Sequence, residues 1–121
     1  MKTTKYTLHE HKQKRGNRIH WDIRIIRPDK KKAWSFAIPK ARLPKKGEKL
    51  LAIKTPDHKL TIMDFDGKYE KDTIKILEQG SCDIILNKKS HISIVFKGNK
   101  IRGLFAFINT GGDKWLMIAS K

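Results

Sequence analysis

His9-Glu10-His11-Lys12-Gln13-Lys14-Arg15-Gly16-Asn17-Arg18-Ile19-His20-Trp21-Asp22-Ile23-Arg24 carries three of the chain's five histidines and, in Asp22, a carboxylate that can share a metal with them. From His20 to Ile25 polar and apolar residues alternate with period two. This predicts a half-buried strand with His20, Asp22 and Arg24 on one face and Trp21, Ile23 and Ile25 on the other. Residues 5–11 alternate in the same way, with Tyr6 and Leu8 as the apolar members, and Gly16-Asn17 is a turn signal between the two runs. A hairpin centred near Arg15-Gly16 sets His11 opposite His20 and His9 opposite Asp22. Directly opposed residues have Cβ atoms about 4.5–5.5 Å apart, so His11, His20 and Asp22 can share one ion. His9 is then a reserve ligand or a supporting neighbour. Two neutral imidazoles and a carboxylate suit a divalent transition metal with open positions. Arg24 lies one step further along that face, within reach of an anion held there.

Outward from this stretch, nearly every segment reads as a strand. Residues 31–38, 49–55, 73–79, 82–86, 90–97, 101–109 and 115–119 are expected strands, separated by turn signals such as Asp66-Gly67, Gly80-Ser81 and Gly98-Asn99. Pro56-Asp57 is expected to stop the strand that starts at Lys49. Residues 60–65 fit a short strand or one helical turn equally. Many short strands with little helix predict an all-β fold, a small closed or nearly closed barrel of about eight strands. Trp34, Phe36 and Ile38 form one expected core face, Ile92, Ile94 and Phe96 another. On residues 103–109 either Leu104, Ala106 and Ile108 or Phe105 and Phe107 point inward. Cys82 reads as a small buried strand residue, and a single cysteine excludes an internal disulfide. At 121 residues the whole chain, 1–121, is expected to form one domain.

Charge points to the partner. The formal net charge is +16. Residues 1–50 hold 16 Lys and Arg against 4 Asp and Glu, a net of +12, so the positive field lies on the half that holds the candidate metal site. Such a surface favours a polyanion, nucleic acid first, and Lys12, Lys14, Arg15 and Arg18 in the expected hairpin tip are the candidate phosphate contacts. No apolar run approaches the ~20 residues of a membrane span. The N-terminus lacks the apolar stretch of a signal peptide, so a cytoplasmic protein acting as a monomer is expected. Two further basic groups stand at strand ends, where functional residues collect: Lys40 after Pro39, and His58 after Pro56-Asp57.

Taken in order, HEH, IHWDIRI, WSFAIPKA, KLLAIKTPDHKLTIMDFDG and KWLMI resemble the 3′-phosphoesterase domain of bacterial DNA ligase D and its stand-alone relatives. The resemblance runs from about Tyr6 to Ile118. It implies a compact β-barrel acting on the 3′ end of DNA in a primer–template setting, with manganese as the usual metal and zinc or cobalt as the alternatives. The implied activity removes a terminal ribonucleotide or a 3′-phosphate and leaves a 3′-OH for a polymerase or ligase of end joining. His11, His20 and Asp22 match the family's metal ligands. Arg24 and His58 match residues that contact the scissile phosphate, and Lys40 matches a basic residue that supports activity.

This chain departs from the family in several places. The connection from His11 to His20 is longer, His9 stands where Gln is common, and the turn at residues 68–72 is shorter. Leu50, Pro56 and Ile62 replace an Arg, a Glu and a Tyr. Two other readings compete. One is a basic barrel that binds nucleic acid without chemistry. The other is a cupin-like enzyme acting on a small molecule, which would want a Glu shortly after His11, where Gln13, Lys14 and Arg15 stand.

Overall fold

Period-two alternation becomes strand along the whole chain. The computed structural model describes residues 1–120. It contains β1 (Lys2–Gln13), β2 (Arg18–Ile26), β3 (Ala33–Ile38), β4 (Lys49–His58), β5 (Gly67–Tyr69), β6 (Asp72–Lys88), β7 (His91–Lys97), β8 (Arg102–Gly111) and β9 (Lys114–Ala119). Short 3-10 turns cover Arg15–Asn17 and Leu60–Asp64, and no α-helix occurs among the described residues. None of these elements is a helix long and apolar enough to cross a membrane.

The sheet closes on itself. The strand order is β1-β2-β3-β4-β9-β8-β7-β6, and β6 pairs back onto β1, giving an antiparallel ring of eight strands. β5 sits outside the ring, paired with β6. Closure satisfies the backbone groups that an open edge would leave exposed. Inside lie Tyr6, Leu8, Ile23, Ile25, Phe36, Ile38, Ile94, Phe96 and Phe107, all buried, with Cys82 among them. On β8 the inward pair is Phe105 and Phe107, and Leu104 is exposed.

Two expected breaks are absent. Gly80-Ser81 does not turn the chain; β6 runs straight through it. The glycine serves close approach instead, because a Cβ there would stand 2.9 Å from Tyr6 Oη and 3.0 Å from Tyr6 Cε1. Nor does Pro56-Asp57 stop β4. Ser35 pairs with Thr55, but Ala33 pairs with His58, so β4 carries one extra residue in a bulge. A proline has no N–H to give the ladder and fits at a bulge. The extra residue also changes which side chain faces outward. Without it Asp57 would share the face of Thr55 and Ser35; with it, His58 does.

The barrel end near Tyr6 is fixed by one carboxylate. Glu78 accepts hydrogen bonds from Tyr6 Oη (2.8 Å) and from the backbone N–H groups of Asn99, Lys100 and Ile101 in the β7–β8 turn. A Cβ on Gly98 would overlap both the Tyr6 hydroxyl and the Glu78 carboxylate. Tyr6 is fully buried and cannot step aside. Gly98→Ala is therefore expected to destabilise the fold by about 1–3 kcal/mol, read as a lower denaturant midpoint. An unchanged midpoint would show that this turn gives way freely.

Candidate metal centre and phosphate cleft

The β1–β2 hairpin has the expected register: His11 opposes His20 and His9 opposes Asp22. Leu8 and Ile23 point into the barrel, so His9, His11, His20, Asp22 and Arg24 share its outer face. That face is not simply solvent-exposed. The segment from Leu60 to Phe65 lies over it. Met63 O accepts hydrogen bonds from Thr7 Oγ1 (2.8 Å) and Gln79 Nε2 (2.8 Å), and Phe65 O accepts one from His9 Nε2 (2.8 Å).

His11, His20 and Asp22 each offer a ligand atom within 4.8 Å of the others. Asp22 Oδ2 lies 3.1 Å from His20 Nε2 and 3.7 Å from His11 Nδ1, and the two imidazole rings sit 4.6 Å apart. Burial would raise the Asp22 pKa, but His11, His20 and Arg24 outweigh it and hold the carboxyl ionised, well below the usual carboxylate range. The nearby carboxylates of Asp22 and Asp72 raise the His11 pKa against the effect of burial. Two imidazole nitrogens and one ionised oxygen, convergent on one point, fit a divalent transition metal.

Arg24 is 4% exposed, and its guanidinium is firmly held in position. Nε donates to His9 Nδ1 (3.0 Å), one terminal nitrogen to Ser35 Oγ (2.9 Å) and the other to Asp22 Oδ2 (3.3 Å). A guanidinium has five N–H donors, so one proton on each terminal nitrogen is left for an anion. His9 is consequently no spare ligand. Its Nδ1 accepts from Arg24 and its Nε2 donates to Phe65 O, so both ring nitrogens are committed and it orients Arg24 instead. Burial lowers the pKa of His9, and the Arg24 charge adds to this against the Phe65 carbonyl.

Ser35 Oγ also lies 2.9 Å from His58 Nδ1. The hydroxyl accepts from Arg24 and can give its own proton to His58, leaving His58 Nε2–H as a donor. Burial and then the Arg24 charge lower the His58 pKa. The neighbouring Asp57 is held by Arg27 (2.8 Å) and Lys54 (3.0 Å). An open cleft of about 450 Å³ is lined by His11, His20, Asp22, Arg24 and His58 together with Thr55, Pro56 and Asp57.

Lys40 is not brought to this cleft; it is exposed in the turn after β3. Lys12, Lys14, Arg15 and Arg18 are all exposed at the hairpin tip. There Lys12 and Lys14 share a shallow groove with Lys68 and Lys71 of the β5–β6 hairpin. Ser35, Asp57 and Asp72 escaped the sequence reading. Ser35 alternates with Trp34 and Phe36 and so had to face outward, but its pairing with Arg24 needs the β2–β3 register.

The buried neutral His9 makes stability depend on pH. The unfolded chain takes up this proton near the ordinary value of 6.5, the folded chain only at lower pH. Stability is therefore complete above about 6.5 and falls as pH drops through it. His58 acts in the same direction, whereas His11 acts in the opposite one. A glutamine can accept from Arg24 and donate to Phe65 O without titrating. His9→Gln is expected to melt with a smaller loss between pH 7.5 and 5 than wild type; parallel profiles would assign the acid sensitivity elsewhere.

The family profile described as the DNA Ligase D 3'-phosphoesterase domain matches residues 9–109. The multifunctional non-homologous end joining protein LigD of Mycolicibacterium smegmatis is 27% identical over 130 residues, covering 93% of this chain and 16% of that protein. The LigD protein of Mycobacterium bovis is 29% identical, covering 92% of this chain and 15% of its own length. That of Pseudomonas aeruginosa is 25% identical, covering 88% and 14%. The chain thus spans only about a sixth of the curated relatives it matches. With its ring of strands and a profile match across most of its length, this chain belongs to the DNA ligase D 3′-phosphoesterase domain family.

Proposed function

We propose that this chain is a metal-dependent phosphoesterase that clears 3′-phosphates and 3′-terminal ribonucleotides from DNA ends in end-joining repair. The observation that carries this reading is the meeting of Arg24, His58 and the His11/His20/Asp22 triad in one cleft. Manganese is the metal we expect, with zinc or cobalt as substitutes. Residues 1–121 act as one domain, as a monomer in the cytoplasm. The substrate is a duplex primer–template end whose 3′-OH then passes to a ligase or polymerase.

His11, His20 and Asp22 would hold a divalent ion, which would supply Lewis acidity and a water of lowered pKa. The protein supplies the rest. Arg24, prepositioned by His9, Ser35 and Asp22, presents two N–H groups where charge grows on the phosphate as the ester bond breaks. Its partners hold it before substrate arrives, so little reorganisation is needed at the moment of reaction. His58, neutral at pH 7 and backed by Ser35, offers Nε2–H to an oxygen of the phosphoester. The basic hairpin tip holds the backbone of the strand through Lys12, Lys14, Arg15 and Arg18.

Arg24→Ala is expected to lower turnover of a 3′-phosphate or 3′-ribonucleotide end by about 10²–10³, while DNA affinity changes only a few-fold. Asp22→Ala should abolish metal binding and activity together. A wild-type protein that binds DNA yet leaves every such end intact with manganese, cobalt and zinc would be the non-catalytic barrel instead. Binding to a duplex end should weaken steeply with salt. Neutralising Lys12, Lys14, Arg15 and Arg18 together should flatten the log–log slope by about 0.9 for each phosphate no longer neutralised. An unaltered slope would move the DNA surface off this hairpin.

A further inference from the structure

Asp72, the first residue of β6, is far from the triad in sequence and touches it in space. Its Oδ2 lies 2.9 Å from His11 Nε2, and its Oδ1 accepts the backbone N–H of Lys14 at 3.2 Å. A carboxylate oxygen can only accept from an imidazole N–H, so His11 carries its proton on Nε2 when neutral. That leaves the lone pair of Nδ1, the nitrogen nearer Asp22, for a metal. The two nitrogens of an imidazole point in divergent directions. A carboxylate seated at Nε2 therefore cannot reach an ion held at Nδ1, and Asp72 is not a fourth ligand of that ion. Rotating the ring by half a turn would put carbons where both nitrogens stand and break both interactions.

We propose that Asp72 is the positioning residue of the metal centre: it fixes the ring and tautomer of His11 for a divalent cation and anchors that ligand to the basic hairpin tip at Lys14. This rests on the metal-centre reading above. Carboxylates hydrogen-bonded to the far nitrogen of a ligating histidine commonly govern affinity by about 10–100-fold. His11 has particular need of one. Its side chain is partly exposed, and its other neighbours in the site, Asp22 Oδ2 at 3.7 Å and the tilted His20 ring, make no hydrogen bond that fixes it. The Lys14 hydrogen bond gives the carboxylate a second role. One carboxylate thus joins the Lys14 peptide of the basic tip to the His11 ring.

The test is manganese binding to the full chain by titration calorimetry, with thermal melting as the check on folding. Asp72→Asn is expected to bind manganese about 10–100-fold more weakly than wild type with its melting temperature little changed. Asp72→Glu, which restores the charge on a longer arm, should recover most of that affinity. Asp66→Asn is the control. Asp66 also holds β6, through the Ile76 N–H at 3.2 Å, but makes no hydrogen bond to His11. It should leave manganese affinity as in wild type. Asp72→Asn binding manganese within about twofold of wild type would overturn the positioning role and leave the metal centre standing. An equal weakening in Asp66→Asn would overturn it too, since general support of β6 would then explain the effect. A wild-type chain that binds no divalent ion would instead fail the metal-centre reading, and the role of Asp72 with it.

Discussion

A guanidinium taken out of water must find partners for its N–H groups, and Arg24 finds them on three adjacent strands. His9 comes from β1, Asp22 from β2 and Ser35 from β3. An unpaired charge at this depth would be strongly destabilising, so the three strands have to keep one register for the fold to hold. The rest of the site follows from that constraint. Asp22 brings the two histidines of the candidate metal centre to one oxygen, and Ser35 passes the network on to His58. The same bonds that make the charge tolerable also aim it into the cleft.

The location of this network follows from the size of the barrel, whose interior is filled by side chains. Here the interior is packed with Tyr6, Phe36, Phe96, Phe107 and aliphatic residues, and offers no room for chemistry. The site is built on the outside, across β1 to β4. Two local devices make an outer face suitable. The segment at Leu60–Phe65 covers Thr7 and His9 and so keeps water from the imidazole that holds Arg24. The bulge at Pro56-Asp57 turns His58 onto the same face and leaves Asp57 tied to Arg27 and Lys54.

Charge is layered around the site by range. Near the cleft, ionised Asp22 and Asp72 attract a cation. Further out, the exposed lysines and arginines of the two hairpin tips carry a dense positive charge. Asp72 stands where the two ranges meet, bonded both to His11 and to the backbone of the tip.

Much of this was legible in the sequence alone. Alternation identified the strands, the inward faces of β3 and β7, and the outer face shared by His20, Asp22 and Arg24, because side chains on a strand alternate whatever lies around it. Gly16-Asn17 signalled the turn, and a hairpin centred near Arg15-Gly16 gave the pairing of His11 with His20, since a hairpin's register follows from its turn. What only the tertiary structure decided lies wherever contacts join residues far apart in the chain. Gly80 looks like a turn until Tyr6 is seen against it. Pro56 looks like a strand stop until β3 shows the bulge. His9 could be a reserve ligand or a supporting neighbour until Phe65 and Arg24 claim both its nitrogens. Asp72 looks like nothing until the ring of strands closes. Strand pattern is a local property written in neighbouring residues, whereas the partner of a buried polar atom is chosen by whichever segment the closed sheet brings to it.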